Sequence, residues 1–115
     1  QAKSQKKIKV FKGSEEYFRD FVHVEDVVNI TLAAKDFDSS GIYNVGTGVA
    51  RSFMEVADII AESTNSKIEI IPFPEKLIGK YQSYTCSNNE KISTQYHDVS
   101  RISLENGIKR ELDGR

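Results

Sequence analysis

Phe11-Lys12-Gly13-Ser14-Glu15-Glu16-Tyr17-Phe18-Arg19-Asp20-Phe21-Val22-His23-Val24-Glu25-Asp26 is the stretch that decides the fold. Gly13 suits a tight turn, because without a Cβ it can enter the left-handed backbone region at little cost. Arg19 then stands among Tyr17, Phe18 and Phe21. Phe18 to Val24 reads as an extended segment that places Arg19, Phe21 and His23 on one side. Glu25-Asp26 opens an apolar helix at the end where the helix dipole favours negative charge.

Upstream, Ile8, Val10 and Phe11 predict a short strand, and the polar residues 1–6 are expected to be frayed and disordered. Downstream, the first long helix is predicted over Glu25 to about Lys35. It is apolar around most of its circumference and is therefore expected to be buried on more than one side. Gly41-Ile42-Tyr43-Asn44-Val45 is predicted as a strand. Ser52 and Glu55 form a capping box, and Phe53, Val56, Ala57 and Ile60 repeat at helical spacing, so a second helix should run to about Thr64. Lys67 to Pro72 predicts a strand stopped by the prolines at 72 and 74. Ser87 with Glu90 suggests another capped turn. Leu104, Ile108 and Leu112 mark a last helix after Ser103, against a cost of about 1 kcal/mol for Gly107 relative to alanine. Alternating strands and helices make the fold class α/β. Four short strands and so apolar a helix leave more hydrophobic surface than this chain can cover alone.

The chain has 115 residues, one domain by length, with 29% charged and 38% hydrophobic residues. Lys+Arg 16 against Asp+Glu 17 leaves a net charge of -1, which offers no basic field for nucleic acid. There is no apolar run of membrane-spanning length and no signal-peptide pattern. The single cysteine, Cys86, cannot form an internal disulfide, which suits a reducing cytosol. A start at Gln1 rather than methionine is what a piece of a longer protein would show.

Several residues carry candidate chemistry. Gly46-Thr47-Gly48-Val49-Ala50-Arg51, between a strand and a helix, resembles a dinucleotide-binding loop, with Glu69 about 20 residues on. Arg51 in place of the third glycine, and Ser52 as helix cap, favour a plain strand-to-helix turn instead. Arg19 could hold a diphosphate with its planar fork, or pair with Glu15, Glu16 or Asp20 as a structural ion pair. Its aromatic surroundings favour an anionic ligand, since a cation among apolar groups is otherwise costly. His23 and His97 lack partners at metal spacing, and Cys86 lacks an activating neighbour. Pro72 to Thr85 is a ring-rich loop whose Phe73, Tyr81 and Tyr84 either meet a ligand or cover the core.

Read together, Phe11-Lys12-Gly13-Ser14, Arg19-Asp20-Phe21-Val22-His23-Val24-Glu25-Asp26 and Asn44-Val45-Gly46-Thr47-Gly48 resemble the C-terminal half of extended short-chain dehydrogenase/reductases acting on nucleotide sugars. Ile71-Pro72-Phe73-Pro74, with Leu77, Gly79, Tyr81-Gln82 and Thr85, narrows the resemblance to the ADP-glycero-manno-heptose 6-epimerase family of lipopolysaccharide inner-core precursor synthesis. The resemblance runs from about Lys9 to Tyr84 and more loosely through Ser103-Leu104-Glu105.

It implies that residues 1–115 are a C-terminal substrate-binding piece of an extended Rossmann-type enzyme, without the N-terminal NADP-binding Rossmann domain. It further implies an ADP-sugar site lined by Phe11, Lys12, Gly13, Ser14, Arg19 and Tyr81, with Lys12 contributing through its backbone. Members of the family bind NADP on an N-terminal glycine-rich unit and use a tyrosine and lysines for proton transfer. This sequence shows no such unit, and no tyrosine is followed four residues later by lysine. The chain alone is thus expected to hold neither cofactor, metal nor catalytic residue and to be inactive. Its expected partners are an ADP-sugar, the N-terminal domain and further copies of itself in a homo-oligomer, in a bacterial cytoplasm. A stand-alone nucleotide-binding module built on Gly46 to Arg51, and a non-catalytic interaction domain, are the alternatives.

Overall fold

The computed structural model describes residues 1–97 and 101–114. In chain order these form α1 (Ala2–Gln5), β1 (Lys7–Phe11), β2 (Phe18–Asp20), α2 (Val24–Ala33), β3 (Ala50–Ser52), α3 (Phe53–Thr64), β4 (Lys67–Ile71), α4 (Glu90–Ser93) and α5 (Leu104–Asp113). Short 3-10 turns follow Gly13, Ala33 and Pro74.

Two small sheets organise the chain. β1 and β4 pair in parallel, from Lys7 opposite Lys67 to Phe11 opposite Ile71. Parallel neighbours need a crossover, and α3 supplies it, packing on both strands. β2 pairs antiparallel with β3, Arg19 opposite Arg51. Along the edge of β2 runs a strap, residues 82–87, bridged in parallel through Tyr84 opposite Phe18.

The capping box of α3 forms as the sequence predicts. Ser52 Oγ accepts from Glu55 N at 3.1 Å, and Glu55 Oε2 accepts from Ser52 N at 2.7 Å. α3 ends at Thr64 with Asn65 in the left-handed region. α5 is capped by Ser103, which accepts from Asn106 N. Gly107 is buried there, and a Cβ on it would lie 3.2 Å from the His23 ring. Its low helix propensity is thus exchanged for close packing against His23.

Several expectations need correction. Residues 1–6, expected to be disordered, include the helical turn α1, closed by Gln5 N to Gln1 O at 2.8 Å and docked through Lys3 Nζ on the Leu112 carbonyl. Residues 41–45 form no strand; among the described residues they pair with no other segment, and Ile42 is 88% exposed. The strand lies further on, at β3, where pairing with β2 rather than hydrophobic pattern fixes the backbone. The ladder of β2 ends at Asp20, so Phe21 to His23 continue unpaired into α2. The turn at Glu90 forms, but its first free N–H, that of Glu90, bonds Asn88 Oδ1, while Ser87 Oγ bonds Asn89.

α2 departs most from expectation. It buries Ile30 and Asp26, but Val24, Val28 and Leu32, spaced at i, i+4 and i+8, are 62%, 48% and 65% exposed. One flank is thus bare rather than buried. Among the described residues the buried apolar side chains are Val10, Ile30, Ala57 and Ile92.

Candidate functional site

The turn after β1 builds the first wall of a recess. Gly13, at φ 88°, reverses the chain, and Ser14 is buried with its Oγ donating to the Phe11 carbonyl at 2.6 Å. Lys12 N donates to Ile71 O at 2.8 Å, which ties the turn to the end of β4. The loop after β4 then folds back over this turn. Phe73 stacks on Tyr17 with centroids 5.5 Å apart, and meets Phe11 edge-on at 5.6 Å and Tyr81 edge-on at 5.8 Å. Tyr81 also meets Tyr17 edge-on at 5.2 Å.

These rings enclose a recess of about 280 Å³ whose floor is Ile8, Val10, Val56 and Ile60. Arg19 stands beside it. Its Cζ lies 5.0 Å from the centre of the Tyr81 ring and 5.6 Å from that of Phe53, distances at which a guanidinium is attracted to a ring. Nη1 donates to Phe18 O and Nη2 to Gln82 O, each at 2.7 Å. Among the described residues Arg19 forms no ion pair, neither with Glu15, Glu16 nor Asp20. Its charge therefore has dipoles and ring faces around it but no anion.

Of the residues singled out by sequence, Phe11, Ser14 and Tyr81 line the recess, while Arg19 lies outside the lining, against the Tyr81 ring. Gly13 shapes the turn, and the Lys12 side chain lies outside the lining. Tyr17, Phe73 and Phe53 complete the walls. Their aromatic character was visible in the sequence, but nothing in its periodicity said which rings would meet.

The glycine-rich loop has a different occupant. The Asp20 carboxylate accepts from Thr47 N and Gly48 N at 2.9 Å each, from the Thr47 hydroxyl, and from Ser87 N at 3.2 Å. Burial alone would push this carboxyl up. The bonds from the Thr47 hydroxyl and from the Thr47, Gly48 and Ser87 amides outweigh it and hold the group below the usual carboxylate range. A Cβ on Gly46 would come within 2.4 Å of Ser87 Cβ and 2.5 Å of Asp20 Oδ2. The loop's N–H groups thus serve an internal anion, and its first glycine admits protein rather than a ligand. These residues do not fit a dinucleotide phosphate. Arg51 instead joins two helices, pairing with Glu55 at 3.0 Å and Glu105 at 2.8 Å.

His23 caps α2, its Nδ1 accepting from Glu25 N at 3.2 Å. Its Nε2 is buried, with Glu111 Oε1 at 3.6 Å, beyond hydrogen-bond reach. Among the described residues no group of three potential metal ligands occurs. No helix there is long and apolar enough to cross a membrane.

No family model matches the chain. Over 112 residues it is 39% identical to the ADP-L-glycero-D-manno-heptose-6-epimerase of Brachyspira hyodysenteriae, covering 96% of this chain and 35% of that protein. The crystal structure of Helicobacter pylori ADP-L-glycero-D-manno-heptose-6-epimerase superposes with a TM-score of 0.80 at 32% identity, covering 97% of this chain and 34% of that one. This chain is homologous to part of an ADP-L-glycero-D-manno-heptose-6-epimerase. It spans about a third of the length of these epimerase relatives. Its fold is that of the corresponding part of extended Rossmann-type short-chain dehydrogenase/reductases. MoeE5, solved in complex with UDP-glucuronic acid and NAD, shares it with a TM-score of 0.71 at 25% identity over 90% of this chain and 34% of its own.

Proposed function

We propose that the chain is the ADP-sugar-binding portion of a nucleotide-sugar epimerase of the ADP-glycero-manno-heptose type. The observation that carries this reading is Arg19, a cation with no ion pair among the described residues, set against Tyr81 beside a ring-walled recess. The recess suits the flat, apolar faces of a nucleotide, and the guanidinium offers its charge and remaining N–H groups to a diphosphate. Phe11 and Ser14 shape the turn beneath, and the Lys12 and Gly13 backbone can approach the ligand closely. Tyr81 supplies a phenol for the ligand's polar groups.

In this reading residues 1–115 act as a substrate-binding domain within a longer enzyme. NADP and the groups that move protons come from residues outside them. When bound, the cofactor supplies transient oxidation of the sugar, and this portion contributes position, holding the reacting carbon in place. The bare flank of α2 fits contact with that remainder. The enzyme acts in the bacterial cytoplasm as a homo-oligomer. A dinucleotide module on Gly46 to Arg51 is disfavoured by Asp20, which already fills that loop.

Titrating ADP and NADP against the wild-type chain and Arg19→Ala tests the proposal. ADP affinity should fall roughly ten- to hundredfold in the variant, the worth of one charge-assisted contact. Equal ADP affinity in both chains, or tighter binding of NADP than ADP, would overturn it.

A further inference from the structure

Residues 82–87 run beside β2 and are held by four contacts. Arg19 Nη2 donates to Gln82 O at 2.7 Å. Phe18 N donates to Ser83 O at 2.8 Å, and Thr85 N to Phe18 O at 3.1 Å. At the far end Ser87 N donates to Asp20 Oδ2 at 3.2 Å. Arg19 and Asp20 are neighbours on one strand, so they grip opposite ends of the same strap. Tyr81 is the residue immediately before it, and its ring lies 5.0 Å from the Arg19 guanidinium carbon. Whatever fixes the strap therefore fixes both the cation and the phenol of the recess.

We propose that Asp20 is a positioning residue whose carboxylate latches residues 82–87 onto β2 and so holds Arg19 and Tyr81 in their ligand-meeting arrangement. The proposal rests on the nucleotide-site reading above. The chemistry requires an ionised carboxylate. Four donors converge on it, from Thr47 N, the Thr47 hydroxyl, Gly48 N and Ser87 N, and a carboxylate offers four lone-pair positions with no hydrogen of its own. An amide of the same shape would turn an NH₂ group towards two of these donors. The latch also explains the glycine at 46, since a Cβ there would be driven between Asp20 and Ser87. Asp20 touches no ligand in this scheme; it acts through Arg19 and the strap.

The test uses the 115-residue chain with ADP as probe, in wild type, Asp20→Asn, Ser87→Pro and Arg19→Ala. Ser87→Pro deletes the strap's amide hydrogen while leaving Asp20 and its bonds to Thr47 and Gly48 in place. Two quantities are read, the ADP dissociation constant and the NMR position of the Arg19 side-chain Nε–Hε signal, which the Tyr81 ring current displaces. A fold-holding role alone would not move that signal in a variant with unchanged circular dichroism. In Asp20→Asn and Ser87→Pro the signal should move towards that of a solvated arginine. ADP affinity should fall about tenfold, as when roughly a tenth of the molecules keep the competent arrangement. Should Asp20→Asn fail to fold, Ser87→Pro carries the test. An unmoved Arg19 signal in a folded latch variant overturns the proposal, whether or not ADP binds. If Arg19→Ala binds ADP as well as wild type, or wild type does not bind it, the nucleotide-site reading fails instead.

Discussion

A guanidinium at position 19 spends one N–H group on each of two main-chain carbonyls and meets no carboxylate among the described residues. Its neighbour Asp20 is the reverse case, an anion whose every lone pair is engaged by the protein. That difference has a pH signature. Because folding depresses the Asp20 value, its contribution to stability is complete above the ordinary carboxylate value of about 4. It is lost as pH falls through the lower folded value. Thermal melts between pH 2 and pH 6 should show an acid limb that flattens in Asp20→Asn, together with a lower plateau near neutrality. An acid limb of unchanged steepness would mean that other carboxylates dominate it. Sequence alone made Arg19 a choice between a ligand and an ion pair. It could not reveal Asp20, because the amides that surround it come from residues 47, 48 and 87 and are brought together only by the fold.

Among the elements, α3 was the most legible, since its start, stop and buried face are all written locally. The capping box closes on two hydrogen bonds, so Ser52→Ala should lower stability by about 1 kcal/mol, read as a shift in denaturation midpoint. A change of a few tenths would mean that the Arg51 ion pairs hold the end of the helix by themselves. β3 was the least legible. Three residues, Ala50 to Ser52, carry no strand pattern and become a strand because β2 lies beside them. The apolar stretch at 41–45 has the pattern and lacks the neighbour. α2 teaches the complementary lesson. Its composition predicted burial on more than one side, yet the flank of Val24, Val28 and Leu32 faces solvent here. Light scattering should therefore find that the chain self-associates with rising concentration, and that Leu32→Lys reduces the effect. A wild-type chain that stays monomeric at high concentration would argue against the flank as a contact surface.

At the scale of the molecule the chain is a slab with extents of 48 × 36 × 17 Å and a Cα radius of gyration of 16.6 Å. A compact domain of this length would have a radius of about 13 Å. The resemblance visible in the sequence gave the fold class, and three of the six residues it named, Phe11, Ser14 and Tyr81, line the recess. The flatness was foreshadowed only by the surplus of apolar surface. A body this thin has no deep interior, and so little of its backbone is shielded from deuterium. Amide exchange should be slow only where α3 crosses β1 and β4, and the amides of α2 should exchange orders of magnitude faster. Uniformly slow exchange across both helices would require a thicker object than this one. The sheet of two short strands and the helix across it would then be the last part of the chain to let go, with the ring-walled recess loosening before them.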